Sequence, residues 1–418
     1  MNRRELIMAA TAAILTTGGR AHGRPSADDA LHALLDTIGA GSDTGDSLRR
    51  LAAFDATSLS PSARADLDSV RWGLALDAEI ARSRHESTTE KADYALSLER
   101  QFGAPIAPRD LHRRFEAKAA ALTRRADSLL RAEGLIRGSV GERLRSFARQ
   151  PHWLYTDDDT GRSQAVADMT RTLAKAKARM PTLIAPLPIS ASDVIVRNLS
   201  ASDIAAGRGG YRQPAEGSCP GAYHVDLREI RRRPRWSLPS VVHHELLPGH
   251  FAQQALQAEA APHRLRLGYA PNFAEGWAVY AEQLSEEAGL LHGDRPATLG
   301  YLQWMLFRIG RATIDTGVHI MGWSVSQAAE FAATLQGDAM IFAPFGQDIE
   351  RIRQNPGGRA AEAMTWLALV EQRDALVGRR RGPRLVAFHH AVLRNGAMPF
   401  GLLAKQLGGP SPTAGATL

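Results

Sequence analysis

His244 and Glu245 stand side by side in the run Ser240-Val241-Val242-His243-His244-Glu245-Leu246-Leu247-Pro248-Gly249-His250-Phe251, which ends near a further imidazole. Two histidines one helical turn apart can bind zinc while the glutamate after the first activates water, the chemistry of the H-E-x-x-H pattern. Here the second histidine comes six positions on, not four. In a regular helix residues i and i+4 lie within ~40° of each other, whereas i and i+6 are ~120° apart. An unbroken helix would therefore point the two rings in different directions. Pro248 has no N–H for the carbonyl of His244 and its ring would clash there, and Gly249 permits dihedrals that other residues avoid. A local bulge at Pro248-Gly249 could absorb two residues and return His250 to the face of His244. The alternative is a helix that ends at Leu247 and leaves His250 on the surface.

A carboxylate for such a site is offered by Pro271-Asn272-Phe273-Ala274-Glu275-Gly276-Trp277-Ala278-Val279-Tyr280-Ala281-Glu282. A helix antiparallel to the first could project Glu275 as third ligand, giving a His₂Glu site with one position open to water. Asn272 and Glu275 also match a capping box, so Glu275 could simply cap its own helix. Glu282, seven residues on, shares the face of Glu275 and is either an acceptor behind a ligand or a surface acid.

The elements that would have to position these residues are mostly amphipathic helices. Apolar residues recur at spacings of three and four around residues 27–38, 60–84, 110–133, 161–179 and 297–335. Ser60-Pro61 reads as an N-cap followed by Pro at the first helical position, and residues 157–160 lead into another helix. Two short extended pieces, 193–197 and 222–227, are separated by a Gly-rich turn at 207–210. The expected architecture is mainly α, a multi-helix fold with a short β hairpin or edge strands near the site. A helical lobe over 24–185, a site-bearing lobe over 186–407 and a disordered tail at 408–418 complete the division.

The chain has 418 residues, 44% of them hydrophobic and 23% charged, enough for a large core and too little charge for a disordered protein. A single cysteine, Cys219, excludes an intramolecular disulfide framework, a thiolate zinc cluster and an iron–sulfur centre. The net charge of +7 comes from arginines that are scattered among acids, with runs only at 231–233 and 379–381. A solvated surface accounts for them, and no nucleic-acid partner is expected. At the start, Asn2-Arg3-Arg4-Glu5-Leu6 precedes an apolar small-residue run to Thr17. That is the layout of an export signal over residues 1–23, its paired arginines resembling the twin-arginine route. The mature protein is then exported, periplasmic, and without membrane insertion, since no other apolar stretch reaches the ~20 residues of a spanning helix.

Together the motifs are similar to the bacterial family named domain of unknown function 885, which is grouped with zinc-dependent peptidases of the H-E-x-x-H plus Glu type. Beyond the two runs above, the resemblance rests on Gly210-Tyr211, Gly221-Ala222-Tyr223, Arg311 with Asp315-Thr316-Gly317-Val318-His319 and Gly322-Trp323, and Phe388-His389 with Leu393, Asn395-Gly396 and Pro399. It implies a zincin-like fold and one Zn²⁺ held by His244, His250 and Glu275, with Glu245 as general base. Within it, His319 is a candidate donor to the developing oxyanion, because Arg311, Asp315 and His319 fall at successive i+4 positions and Asp315 could orient the imidazole. Tyr211 and Tyr223 are further candidate donors. Arg311, Arg351 and Arg373 are candidates for holding a peptide carboxylate. Ile352, Gly358 and Glu362 stand where the family pattern has Tyr, Gln and Tyr, and an ionised Glu362 cannot donate as a phenol does; this points to a different substrate. The implied activity is hydrolysis of small peptides by an exo- or oligopeptidase. The alternatives are a catalytically weakened helical binding protein that keeps a structural metal, and a metal-dependent amidohydrolase acting on a non-peptide amide.

Overall fold

The computed structural model describes residues 26–411 apart from 40–41, 87–89, 185, 218, 338–344 and 379–381. The export signal read at 1–23, the arginine run at 379–381 and the tail beyond Ser411 thus lie outside the described residues. What is described is mainly α-helical with one small sheet, as the sequence pattern implies.

Seven helices build the surroundings of the candidate site. The first, α1 (Pro108–Ala132), opens with Pro at its start and buries Leu111, Phe115, Leu122, Ala126 and Leu130 along one stripe. Helix α2 (Asp159–Leu183) is capped by Asp158, whose carboxylate accepts from the Gly161 N–H at 2.7 Å. Next come α3 (Leu238–Glu245), α4 (His250–Ala260), α5 (Phe273–Glu287), α6 (Arg295–Thr316) and α7 (Gly358–Leu376). Helix α6 runs through the middle, packed by α1, α3, α5 and α7. From Leu299 to Thr316 every residue of it is buried except Arg308. The main core gathers side chains from both halves of the chain, among them Phe115, Leu144, Met169, Trp277, Met305 and Trp366.

The helix expected over 297–335 is two helices. Helix α6 passes into a π-helical turn at Gly317–Met321, Gly322 adopts φ 77°, and Ser324 caps a new helix, Val325–Gln336. Apolar periodicity continues through both pieces and so conceals a break marked only by the glycine and the capping serine.

The sheet has three strands, β1 (Val194–Asn198), β2 (Tyr211–Gln213) and β3 (Gly221–Val225), in the order β1-β3-β2. Strand β1 pairs with β3 in parallel and β2 pairs with it antiparallel, which sets Arg212 opposite Tyr223. The sequence shows the two five-residue strands; β2, only three residues long, is too short to leave an alternating pattern. As the central strand, β3 is buried throughout.

Candidate metal centre

The six-residue interval between the histidines is spanned by a break in the helix rather than by a bulge within it. Helix α3 ends at Glu245, Leu246 leaves helical geometry at φ −112° and ψ −101°, the Leu247–Pro248 peptide is cis, and α4 begins at His250. Three contacts hold this turn. The His243 Nδ1–H donates to the Leu247 carbonyl at 3.2 Å, the Trp277 indole N–H donates to the Pro248 carbonyl at 3.0 Å, and Gly249 lies tight against the end of α3. A Cβ on Gly249 would sit 1.9 Å from the His244 carbonyl oxygen, so glycine is required by space.

The turn brings the two imidazoles together, edge to face, with ring centroids 4.9 Å apart. Glu275, in the first turn of α5, reaches both: its carboxylate oxygens lie 3.5 Å from His244 Nε2 and 3.3 Å from His250 Nε2. One ligand atom from each of His244, His250 and Glu275 falls within 4.8 Å of the others. The capping-box alternative for Glu275 does not form, because Asn272 makes no cap and instead donates its side-chain amide to Gln101. Helix α5 can bring Glu275 this close because Gly276 lets it press on α7; a Cβ there would meet Thr365 at 2.3 Å.

Glu282 is an acceptor behind the His244 ring. It is buried, one oxygen accepts from His244 Nδ1–H at 2.9 Å, and the other accepts from the Ser240 hydroxyl. That bond leaves His244 Nε2 to face Glu275. The His250 ring is buried and neither of its nitrogens has a hydrogen-bond partner among the described residues. Burial drives the His250 pKa down, against the pull of Glu275, which favours the neutral form that a metal requires. Burial and the nearby Arg308 also oppose a charge on His244, but the carboxylates of Glu275 and Glu282 outweigh them and lift it to about 9. Burial likewise works against charge on Glu275, yet the two imidazoles hold it well below the usual carboxylate range. Two closely set imidazoles with one charged carboxylate are a donor set that suits zinc. The residues present fit that ion.

The remaining sequence candidates divide between this cluster and other duties. Glu245, at the end of α3, is ion-paired with Arg212 of β2. Tyr223 is buried beside them, its pKa raised by burial and by the Glu245 charge, so the phenol keeps its proton. Tyr211 donates its hydroxyl to Asp203 at 3.2 Å and stacks on His224. Arg311 stands 3.1 Å from Asp348 and over the Phe307 ring. Arg351 is exposed on the helix Phe345–Gln354, and Arg373 is taken up by Glu287 and Asp374.

Asp315 and His319 stand close to each other, as their spacing implies, but each has nearer partners elsewhere. His319 lies in the π-helical turn that continues α6, and its Nε2 is 4.0 Å from Asp315 Oδ1. Asp315 caps α7: fully buried, it accepts from the backbone N–H groups of Gly357, Arg359 and Ala360 at 3.0 Å each and from the Tyr94 hydroxyl at 3.1 Å. His319 stacks on Tyr94 and donates to the Ile352 carbonyl at 3.2 Å. At the positions departing from the family pattern, Ile352 fills a small core with Ile314 and Ile349, Gly358 opens α7, and Glu362 pairs with Arg359.

Two arginines at the cluster escaped the sequence reading. Arg212 offers no signal, lying in a three-residue strand. Arg308 does offer one: it is a lone charge in the apolar run 299–310, and its guanidinium lies 3.2 Å from both ring nitrogens of His244.

The chain belongs to the family described as "Bacterial protein of unknown function (DUF885)", which it matches over residues 20–407. No curated protein matches it. Its fold is similar to that of a crystal structure described as "the putative lipoprotein from Colwellia psychrerythraea", with a TM-score of 0.67 and 26% identity, covering 91% of this chain and 69% of that one. A second structure, described as "a putative lipoprotein of unknown function from Shewanella oneidensis", gives a TM-score of 0.60 at 16% identity, covering 92% of this chain and 73% of the other. At that identity the second likeness is one of fold alone.

Proposed function

We propose that this protein is a zinc-dependent peptidase of the zincin-like kind, hydrolysing small peptides at the site formed by His244, His250 and Glu275. The observation that carries the reading is the convergence of these three side chains from α3, α4 and α5, with Glu282 fixing the ring of His244 and Glu245 at the end of the same helix. Zinc held there would lower the pKa of a water towards ~7 and polarise a carbonyl. Glu245 is the base that takes the proton from water and returns it to the leaving amine. Arg212 holds the carboxylate of Glu245 in place, and Tyr223, protonated at neutral pH, can donate a hydrogen bond beside it.

One observation favours a second reading, in which the metal is a structural pin in a binding protein: the carboxylate of Glu245 is already engaged by Arg212. Glu245→Gln separates the two. As a peptidase the variant loses hydrolysis of a peptide panel by at least a hundredfold while keeping one equivalent of zinc by elemental analysis. As a pinned binding protein, wild type and variant cleave nothing and bind zinc alike. Non-peptide amides in the same panel cover amidohydrolase action. The family's structural neighbours described as lipoproteins and the leader-like residues 1–23 support an exported, periplasmic setting. Among the described residues no helix is long and apolar enough to cross a membrane.

A further inference from the structure

The arginines around the cluster are each matched to a carboxylate, but the match of Arg308 is the loosest. Arg212 has Glu245, Arg311 has Asp348, Arg359 has Glu362, and Arg373 has Glu287 and Asp374. The nearest carboxylate to Arg308 is Glu282 at 3.7 Å, and both oxygens of Glu282 already accept from His244 and Ser240. Its other neighbours are the His244 ring and the faces of Trp304 and Phe307, at 5.4 and 5.8 Å from the guanidinium carbon. Its Nε has no hydrogen-bond partner, which is also true of Arg212 and Arg311. The side chain is only 10% exposed.

A nearly buried cation whose carboxylate is 3.7 Å away and shared with two other donors is costly to fold around. Its fork of donors suits a carboxylate or another anionic oxygen, and it adjoins the imidazole of the candidate metal centre. We propose that Arg308 is the anion anchor of this site, receiving an anionic oxygen of the ligand drawn to His244, His250 and Glu275. The inference rests on the reading of that cluster as a metal centre. The oxygen has two sources on a peptide: its terminal carboxylate, and the oxyanion that develops at the amide carbon as water adds.

The test uses the full chain loaded with zinc, as wild type, Arg308→Met and Arg308→Lys, titrated calorimetrically with inorganic phosphate. Phosphate affinity falls at least tenfold in R308M and less in R308K, with zinc content unchanged. The same order holds without zinc, because the guanidinium charge does not depend on the ion. Removing a loosely matched buried charge leaves the thermal midpoint of R308M equal to or above that of wild type, whereas a merely structural arginine would lower it. Equal phosphate affinity in wild type and R308M overturns the proposal. Peptides with a free or an amidated C-terminus separate the sources: a penalty confined to free acids and expressed in KM assigns the terminal carboxylate, and an equal loss of kcat on both assigns the oxyanion. If no form cleaves any peptide while phosphate binding still falls in R308M, the peptidase reading fails and the anion anchor stands.

Discussion

Glu282 decides which nitrogen of His244 is offered to an ion. With Nδ1–H committed to that carboxylate at 2.9 Å, only Nε2 is left on the side of Glu275. Glu282→Gln keeps the shape but no longer offers two accepting oxygens of full charge, and zinc affinity measured against a chelating dye should fall about 10- to 100-fold. Unchanged affinity would mean the ring is held by packing alone. At this scale the sequence was informative because the converging residues stand out by type: two imidazoles and an acid in runs of otherwise apolar residues. Arg212 and Arg308 were not, since an arginine's role depends on whether a carboxylate faces it, and that is settled by tertiary packing. The contact of Asp315 with His319 is loose, at 4.0 Å, for a related reason, the fully buried acid having found three backbone N–H groups at the start of another helix.

Among the elements, the turn between α3 and α4 carries the most consequence. Pro248 announced that the helix could not continue, but spacing alone could not distinguish a bulge from a full stop followed by a new helix. The stop is enforced by the contacts of His243 and Trp277 with its carbonyls and by the absence of a side chain on Gly249. Gly249→Ala forces a methyl group against the His244 carbonyl, so the turn must open. We expect a loss of about 1–3 kcal/mol in chemical denaturation together with zinc release. A stable variant that retains its zinc would show that the turn tolerates a different path. The long helices were legible from apolar periodicity, the cap at Ser60 forms where the sequence put it, and the helix that residues 157–160 lead into is capped by Asp158. The interruption at Gly317–Met321 was not, because a π-helical turn leaves the apolar pattern intact.

For the molecule as a whole, buried imidazoles set the acid limit. His389 is fully buried; it accepts from the Tyr280 hydroxyl at 2.7 Å and donates to the Leu183 carbonyl, tying α5 and α2 together as a neutral ring. Burial pushes its pKa down to about 4, despite the hydrogen bond to Leu183. The unfolded chain therefore binds a proton at higher pH than the folded one, so this contribution is intact above about 6.5 and is lost as pH falls towards 4. Between pH 7 and 4.5 wild type should lose about 2–3 kcal/mol more unfolding free energy than His389→Gln, measured by denaturant titration at each pH. Equal slopes would show that the ring is already protonated in the native state. That His389 was legible only as part of a family motif, with no hint of its partners, is typical of groups whose environment is assembled from distant segments.

A single rod, α5, bears the proposed third ligand at Glu275, the indole that grips the bend at Trp277 and the carboxylate that aims the first imidazole at Glu282. These three tasks cannot be surrendered one at a time by moving it. If the rod slides or tilts, ligand, clasp and aim depart together; when it seats, they arrive together. Capture of an ion at the proposed centre would thereby be locked to the docking of one piece of the interior.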